Sequence, residues 1–159
     1  MNFQEAKSIA ERVKETLAPY CERIEIAGSI RRAKPTVNDI DIVLIDKPEA
    51  ALTMNFLLFN MGIVKLNGPK IKRVYLLQHN ITVDIYIATP IAWATLLLIR
   101  TGSKENNIRL CSLARRKGYH LEASGGGLFD ESGTRIAGDT EESIYEALGA
   151  PYQKPEERD

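Results

Sequence analysis

Two stretches of this chain, DIDIVLI at 39–45 and ITVDIYI at 81–87, alternate in a way that only a β-strand can use. Successive side chains of a strand point to opposite faces. Ile40, Ile42 and Leu44 then form one wholly apolar face, and Val83, Ile85 and Ile87 form another. The opposite faces carry Asp39 and Asp41 on the first strand, and Thr82, Asp84 and Tyr86 on the second. Such strands require a sheet covered by helices on one side, with carboxylates on the other. If the strands are neighbours, Asp39, Asp41 and Asp84 converge.

The rest of the chain supplies the layers around them. Ala6, Ile9, Ala10, Val13 and Leu17 recur at helical spacing, so the pattern predicts an amphipathic helix over 3–18. ERIEIA at 22–27 reads as a strand followed by a Gly28-Ser29 turn. Pro48 suits the first turn of a helix running to about 60, which Gly62 breaks. Strands at 63–67 and 71–77 are joined by Asn67-Gly68-Pro69, a strong turn signal. Beyond residue 88 the character changes. Pro90 opens an apolar helix that ends at Thr101-Gly102, and Ser103 caps a second helix that Gly118 stops. Short strands and turns follow around Gly125-Gly126-Gly127, Thr140 caps a last helix, and QKPEERD reads as a polar tail. Two lobes are therefore expected, at 1–88 and 89–159.

Three converging carboxylates repel one another, and burying them uncompensated is expensive. Divalent magnesium or manganese, which prefer hard oxygen ligands, would relieve the repulsion. Two such ions about 4 Å apart can hold the attacking and leaving oxygens of a phosphoryl displacement. An isolated D-x-D also fits a half-exposed strand with solvated aspartates. Asp84 on a second matching strand weighs against that reading without settling it. Gly28-Ser29 offers backbone N–H groups and a hydroxyl to phosphate oxygens, and Arg32 adds a planar two-pronged donor. Turn, arginine and D-x-D in one short span read together as a nucleoside-triphosphate site with bound metal.

A Gly-Ser turn, a spaced D-x-D and a third Asp on a later strand resemble the signature of the nucleotidyltransferase superfamily. Thr101-Gly102-Ser103 with Asn107, Gly127-Leu128-Phe129, and the closing IAGDTEESIYEALGAPYQKPEER narrow the likeness. With these elements the chain resembles the family X DNA polymerases, the DNA polymerase beta family, over nearly its whole length. The resemblance implies an α/β fold of the α+β type: a palm with a mixed, mostly antiparallel sheet backed by helices, and a small α/β thumb. It implies that Asp39, Asp41 and Asp84 ligate two Mg2+ or Mn2+ ions, and that Asp84 assists deprotonation of a primer 3′-hydroxyl. It further implies that Gly28, Ser29 and Arg32 bind the β- and γ-phosphates of a nucleoside triphosphate. Thr101, Gly102, Ser103 and Lys104 would line its sugar and base side, and Asn107 would reach the minor-groove edge of the incoming base pair. Ser103, Asn107 and Cys111 share one helical face.

The implied reaction is template-directed addition of nucleotides to a primer 3′-hydroxyl with release of pyrophosphate, in short-gap DNA repair. Template-independent nucleotidyl transfer to RNA, protein or a small molecule is the alternative, and a non-catalytic nucleic-acid-binding module would be a different class. The match begins at the helix before the first carboxylate strand, so a palm-plus-thumb form without fingers or lyase domain is expected. Several positions depart from the family pattern. Asn38 replaces a Gly, Thr82 an Arg, Cys111 an Arg, Lys104 an acidic residue, and Ile99-Arg100 an aromatic pair. Sugar selectivity and fidelity stay open on that account.

Lysines and arginines number 21, and aspartates and glutamates 21, so the net charge is zero. Nucleic-acid binders are usually basic. Contacts to primer-template or gapped DNA must then come from local patches, Lys65, Lys70, Lys72 and Arg73 on one hairpin and Arg109, Arg115 and Arg116 on the second-lobe helix. A ligase or end-binding partner could supply further grip. Cys21 and Cys111 have no metal-like spacing, no apolar run approaches about 18 residues, and the N-terminal stretch is charged. A cytoplasmic monomer without membrane contact is expected. Arg31 and Arg100 have no assigned role.

Overall fold

The computed structural model describes residues 1–159, which divide into two compact units, Met1–Ala88 and Thr89–Asp159. In the first unit α1 (Phe3–Leu17) begins at Asn2, whose side chain accepts from the Glu5 N–H at 2.9 Å. It is followed by β1 (Cys21–Ile26), a single-turn helix α2 (Gly28–Arg31) and β2 (Asp39–Asp46). A 3-10 turn at Pro48–Ala50 leads into α3 (Ala51–Met61), then β3 (Ile63–Asn67), β4 (Ile71–Leu76) and β5 (Ile81–Ile87). The Gly28-Ser29 turn expected from sequence is therefore the start of a short helix. A single helical turn and a β-turn place the same residues in nearly the same backbone region, so a dipeptide does not separate them.

The strand order is β1-β2-β5-β4-β3. β2 pairs parallel with β5, and the other pairings are antiparallel, which gives the mixed, mostly antiparallel sheet anticipated above. Ile40, Ile42, Leu44, Val83 and Ile85 are all fully buried. They share a core with Ala6, Ile9, Ala10, Val13 and Leu17 of α1 and with Met54 and Leu58 of α3. Burying each such side chain contributes about 1.5–3 kcal/mol. Asp39, Asp41 and Asp84 lie on the opposite face, outside that core, where Val43 and Ile45 further along β2 are also buried.

The second unit holds α4 (Trp93–Thr101), α5 (Lys104–Arg116), β6 (His120–Leu121), β7 (Leu128–Phe129), β8 (Arg135–Ala137) and α6 (Glu141–Ala147). Pro90 initiates a turn, and the helix proper begins at Trp93. Ser103 caps α5, its Oγ accepting from the Asn106 N–H at 3.2 Å, and Thr140 caps α6 through a reciprocal box with Ser143. Leu98, Leu110, Leu128, Ile144 and Tyr145 form a separate core.

The C-terminal stretch is not a solvated tail. Arg158 is fully buried, and its Nη2 donates to Glu141 Oε2 at 2.8 Å. Its guanidinium carbon lies 5.6 Å from the ring centres of both Tyr145 and Tyr152. Burial is the largest single influence and opposes its charge, but the hydrogen bond and charge of Glu141 together with Tyr145 and Tyr152 outweigh it and raise its pKa. A charge with a carboxylate partner and two ring faces is one of the few that an interior tolerates.

Candidate active site

The parallel register of β2 and β5 sets Asp41 directly opposite Asp84, with Ile40 opposite Val83 on the helix side. Neighbouring strands lie about 4.8 Å apart, so the two carboxylates belong to one patch of the sheet face. Asp39, one side-chain pair further along β2, is exposed, Asp41 is half-buried, and Asp84 is 6% exposed. No three acidic, histidine or cysteine side chains close together tightly enough to hold one ion. Part of this set is neutralised internally.

That internal cation is Arg73. The antiparallel pairing of β4 with β5 puts it opposite Asp84, and its Nε donates to Oδ1 at 2.6 Å and its Nη2 to Oδ2 at 3.3 Å. The hydrogen bond to Asp84 is the main cause of the raised Arg73 pKa, with the charges of Asp84, Tyr86 and Asp39 adding to it. Tyr86 Oη donates to Asp41 Oδ1 at 3.4 Å, a weak contact. Sequence reasoning grouped Arg73 with Lys72 as DNA contacts, but the two point to opposite faces. Lys72 Nζ donates to Asn55 of α3 at 3.2 Å and to Asn67 at 2.6 Å, and burial lowers its pKa. The signal that separates them was present. The β4–β5 hairpin pairs Leu76 with Ile81, and stepping three residues along each strand from that pair brings Arg73 opposite Asp84, whereas Lys72 falls opposite the core residue Ile85.

The first turn of α2 packs against this patch. The Ala27 N–H donates to the Asp41 carbonyl at 2.8 Å. Gly28, with φ +60°, leaves no room for a side chain: a Cβ there would meet Asp41 Oδ2 at 2.0 Å. Ser29 Oγ is buried and has no hydrogen-bond partner. Arg32 caps the end of α2, its N–H donating to the Gly28 carbonyl at 3.2 Å. Hard carboxylate oxygens from two adjacent strands, beside an unused buried hydroxyl, fit a divalent cation with an oxyanion. Of the remaining hairpin lysines, Lys65 and Lys70 are exposed.

In the second unit the expected nucleotide-selecting residues occupy the α4–α5 junction. Thr101 ends α4 and is fully buried, the Gly102–Ser103 peptide bond is cis, and Lys104 is exposed. The Ser103 N–H donates to the Arg158 carbonyl at 3.2 Å, so the C-terminal segment ties this junction down. Asn107 Nδ2 donates to the Ile99 carbonyl at 2.8 Å, and its Oδ1 is buried without a partner. Asn106, its neighbour, is a core residue that donates to Tyr145 Oη at 3.1 Å. Arg109 donates to Asn106 Oδ1 at 3.0 Å and also to Gln153, whereas Arg115 and Arg116 are exposed. No helix is long and apolar enough to cross a membrane.

Residues 96–159 match the family model of the DNA polymerase beta thumb. Over 97% of its length the chain is 30% identical to the DNA polymerase/3′-5′ exonuclease PolX of Bacillus subtilis (strain 168). Over 83% of its length it is 29% identical to DNA polymerase lambda of Rattus norvegicus. It spans 28% of the length of each of these two relatives. Among solved structures, Leishmania infantum polymerase beta in a ternary gap complex is similar with a TM-score of 0.82 at 22% identity, covering 100% of this chain and 70% of that one. The same polymerase in a ternary P/T complex gives 0.81 at 24% identity, covering 100% and 76%.

Proposed function

This chain belongs with the family X DNA polymerases, and from that premise we propose that it adds nucleotides to a primer 3′-hydroxyl under the direction of a template. The observation that carries the reading is the placement of Asp41 opposite Asp84 on the sheet face turned away from the helix-backed core. Asp39, Asp41 and Asp84 are the residues that would hold Mg2+ or Mn2+. When bound, two such ions polarise the attacking hydroxyl and neutralise the departing pyrophosphate.

The chain's own residues supply the rest. Asp84 lies beside the reacting face and can accept the proton of the primer hydroxyl. Gly28 lets the backbone approach Asp41, and Ser29 Oγ has a free hydrogen-bonding capacity to offer a phosphate oxygen. Arg32 at the end of α2 is the phosphate-binding cation of this reading. Thr101, Gly102 and Ser103 bound the sugar side, and Asn107 presents its amide to the base. Lys65, Lys70, Arg115 and Arg116, all exposed, contribute phosphate contacts whose strength falls with salt. Gapped DNA is the substrate of this reading; the similar polymerase beta structures hold a ternary gap complex in one case and a ternary P/T complex in the other.

Primer extension tests this, with each nucleotide supplied separately on gapped and on recessed DNA. Addition of the complementary nucleotide is expected, stronger on the gap and lost in Asp41→Asn. Addition that ignores the template base would replace the directed reaction with template-independent transfer.

A further inference from the structure

The Arg73–Asp84 pair engages the whole carboxylate. One guanidinium takes Oδ1 through Nε and Oδ2 through Nη2. A divalent ion using Asp84 as a ligand needs a lone pair on one of those same oxygens, and it repels the guanidinium it meets there. The partners differ in freedom. The Arg73 side chain is 49% exposed, whereas that of Asp84 is 8% exposed. Arg73 can swing into water on its long stem, but Asp84 sits in a strand paired on both sides. If the pair opens, the arginine moves and the carboxylate stays.

Lys72, the next cation along β4, is no substitute. It is turned to the other face and bound to Asn55 and Asn67. Without Arg73, Asp84 would sit nearly buried, opposite Asp41 and near Asp39, with like charge on that side.

We infer that Arg73 is the resident counter-ion of this carboxylate face and a positioning residue for Asp84, which it yields when a divalent cation binds. This rests on the metal-dependent reading of the site. Arg73 holds the Asp84 rotamer in the metal-free protein, and the incoming ion meets its charge at the same two oxygens, which weakens metal affinity.

The test uses the full chain with Mn2+ alone as the probe, free Mn2+ being read by electron paramagnetic resonance at fixed pH and ionic strength. Asp84→Asn should weaken binding. Arg73→Gln should tighten it about tenfold, the effect of one nearby charge discounted for a half-exposed arginine. Arg73→Lys, which keeps the charge without the fork, should fall between. Arg73→Gln should also melt below wild type without metal and gain more than wild type from added Mn2+. A purely structural role for Arg73 does not predict tighter metal binding. Unchanged or weaker Mn2+ affinity in Arg73→Gln, with Asp84→Asn still weakening it, overturns the inference and leaves the metal reading standing. If Asp84→Asn does not change Mn2+ affinity, both fail. Should the glutamine variant not fold, Arg73→Lys carries the same comparison.

Discussion

Gly28 and Asp41 are so close that any β-carbon on Gly28 would lie 2.0 Å from Asp41 Oδ2. The glycine also has φ +60°, where an L-residue costs about 1–2 kcal/mol. Chain direction at α2 and carboxylate position on β2 are thus set by one missing methyl group. Gly28→Ala should keep the fold, lower its stability by about 1–2 kcal/mol, and push Asp41 aside. A displacement near 1 Å at a reacting centre costs about 10²-fold. Primer extension beside a denaturant melt checks both halves, and an alanine variant with normal extension would show that Asp41 tolerates the shift.

Asp41 stands opposite Asp84 on the neighbouring strand and outside the helix-backed core. Asp41→Asn keeps the shape and an acceptor for Tyr86 Oη while removing one charge. Its melting temperature without metal should stay within about 2–4 °C of wild type, the shift made by ~1 kcal/mol in a chain of this size. Nucleotide addition should fall by at least about 10²–10³-fold. Retained stability combined with activity loss distinguishes a functional carboxylate from a structural one, whose removal lowers both. Calorimetry in chelator and extension in Mg2+ give the two readings.

Much of this arrangement was legible in the sequence, for reasons that lie in periodicity. DIDIVLI and ITVDIYI sort their residues by a period of two, and burial of Ile40, Ile42, Val83 and Ile85 follows from it. Ser103 and Thr140 were readable as caps because a hydroxyl before a helical run has a specific backbone task. What sequence did not reveal depends on partners far along the chain. PEERD looks solvated until Glu141 and two tyrosine rings are brought around Arg158. Arg73 looks like a companion of Lys72 until the hairpin register turns them to opposite faces. Asn106 and Asn107 look equivalent, yet one is a core residue bound to Tyr145 and the other half-exposed with an unused oxygen.

The Arg158–Glu141 contact predicts a large and asymmetric mutational effect. Arg158→Ala removes a buried cation from Glu141, Tyr145 and Tyr152, and breaking a buried ion pair from one side costs roughly 3–5 kcal/mol. Arg158→Met with Glu141→Gln removes both charges at similar volume and should recover at least about half of that loss. A double-mutant cycle by chemical denaturation measures the coupling. Because Ser103 donates to the Arg158 carbonyl, the alanine variant should also lose order at the α4–α5 junction, visible as faster amide exchange at Ser103.

Cys21 yields a pH prediction. Its thiol is buried, donates to the Leu17 carbonyl at 3.2 Å, and has its pKa pushed from 9.0 to about 11, chiefly by burial and then by Asp46. Between those values the unfolded chain releases the proton while the native chain retains it, so native stability falls as pH rises through that window. The contribution is fully present below 9 and is lost as pH passes 11. Wild type should therefore lose more stability between pH 8 and pH 10.5 than Cys21→Ala does, each measured by urea melts. At pH 8 the native thiol should resist a thiolate-selective reagent, because only the thiolate is nucleophilic and this one is scarcely populated. Equal pH dependence in the two proteins would show that Cys21 ionises as freely in the fold as outside it.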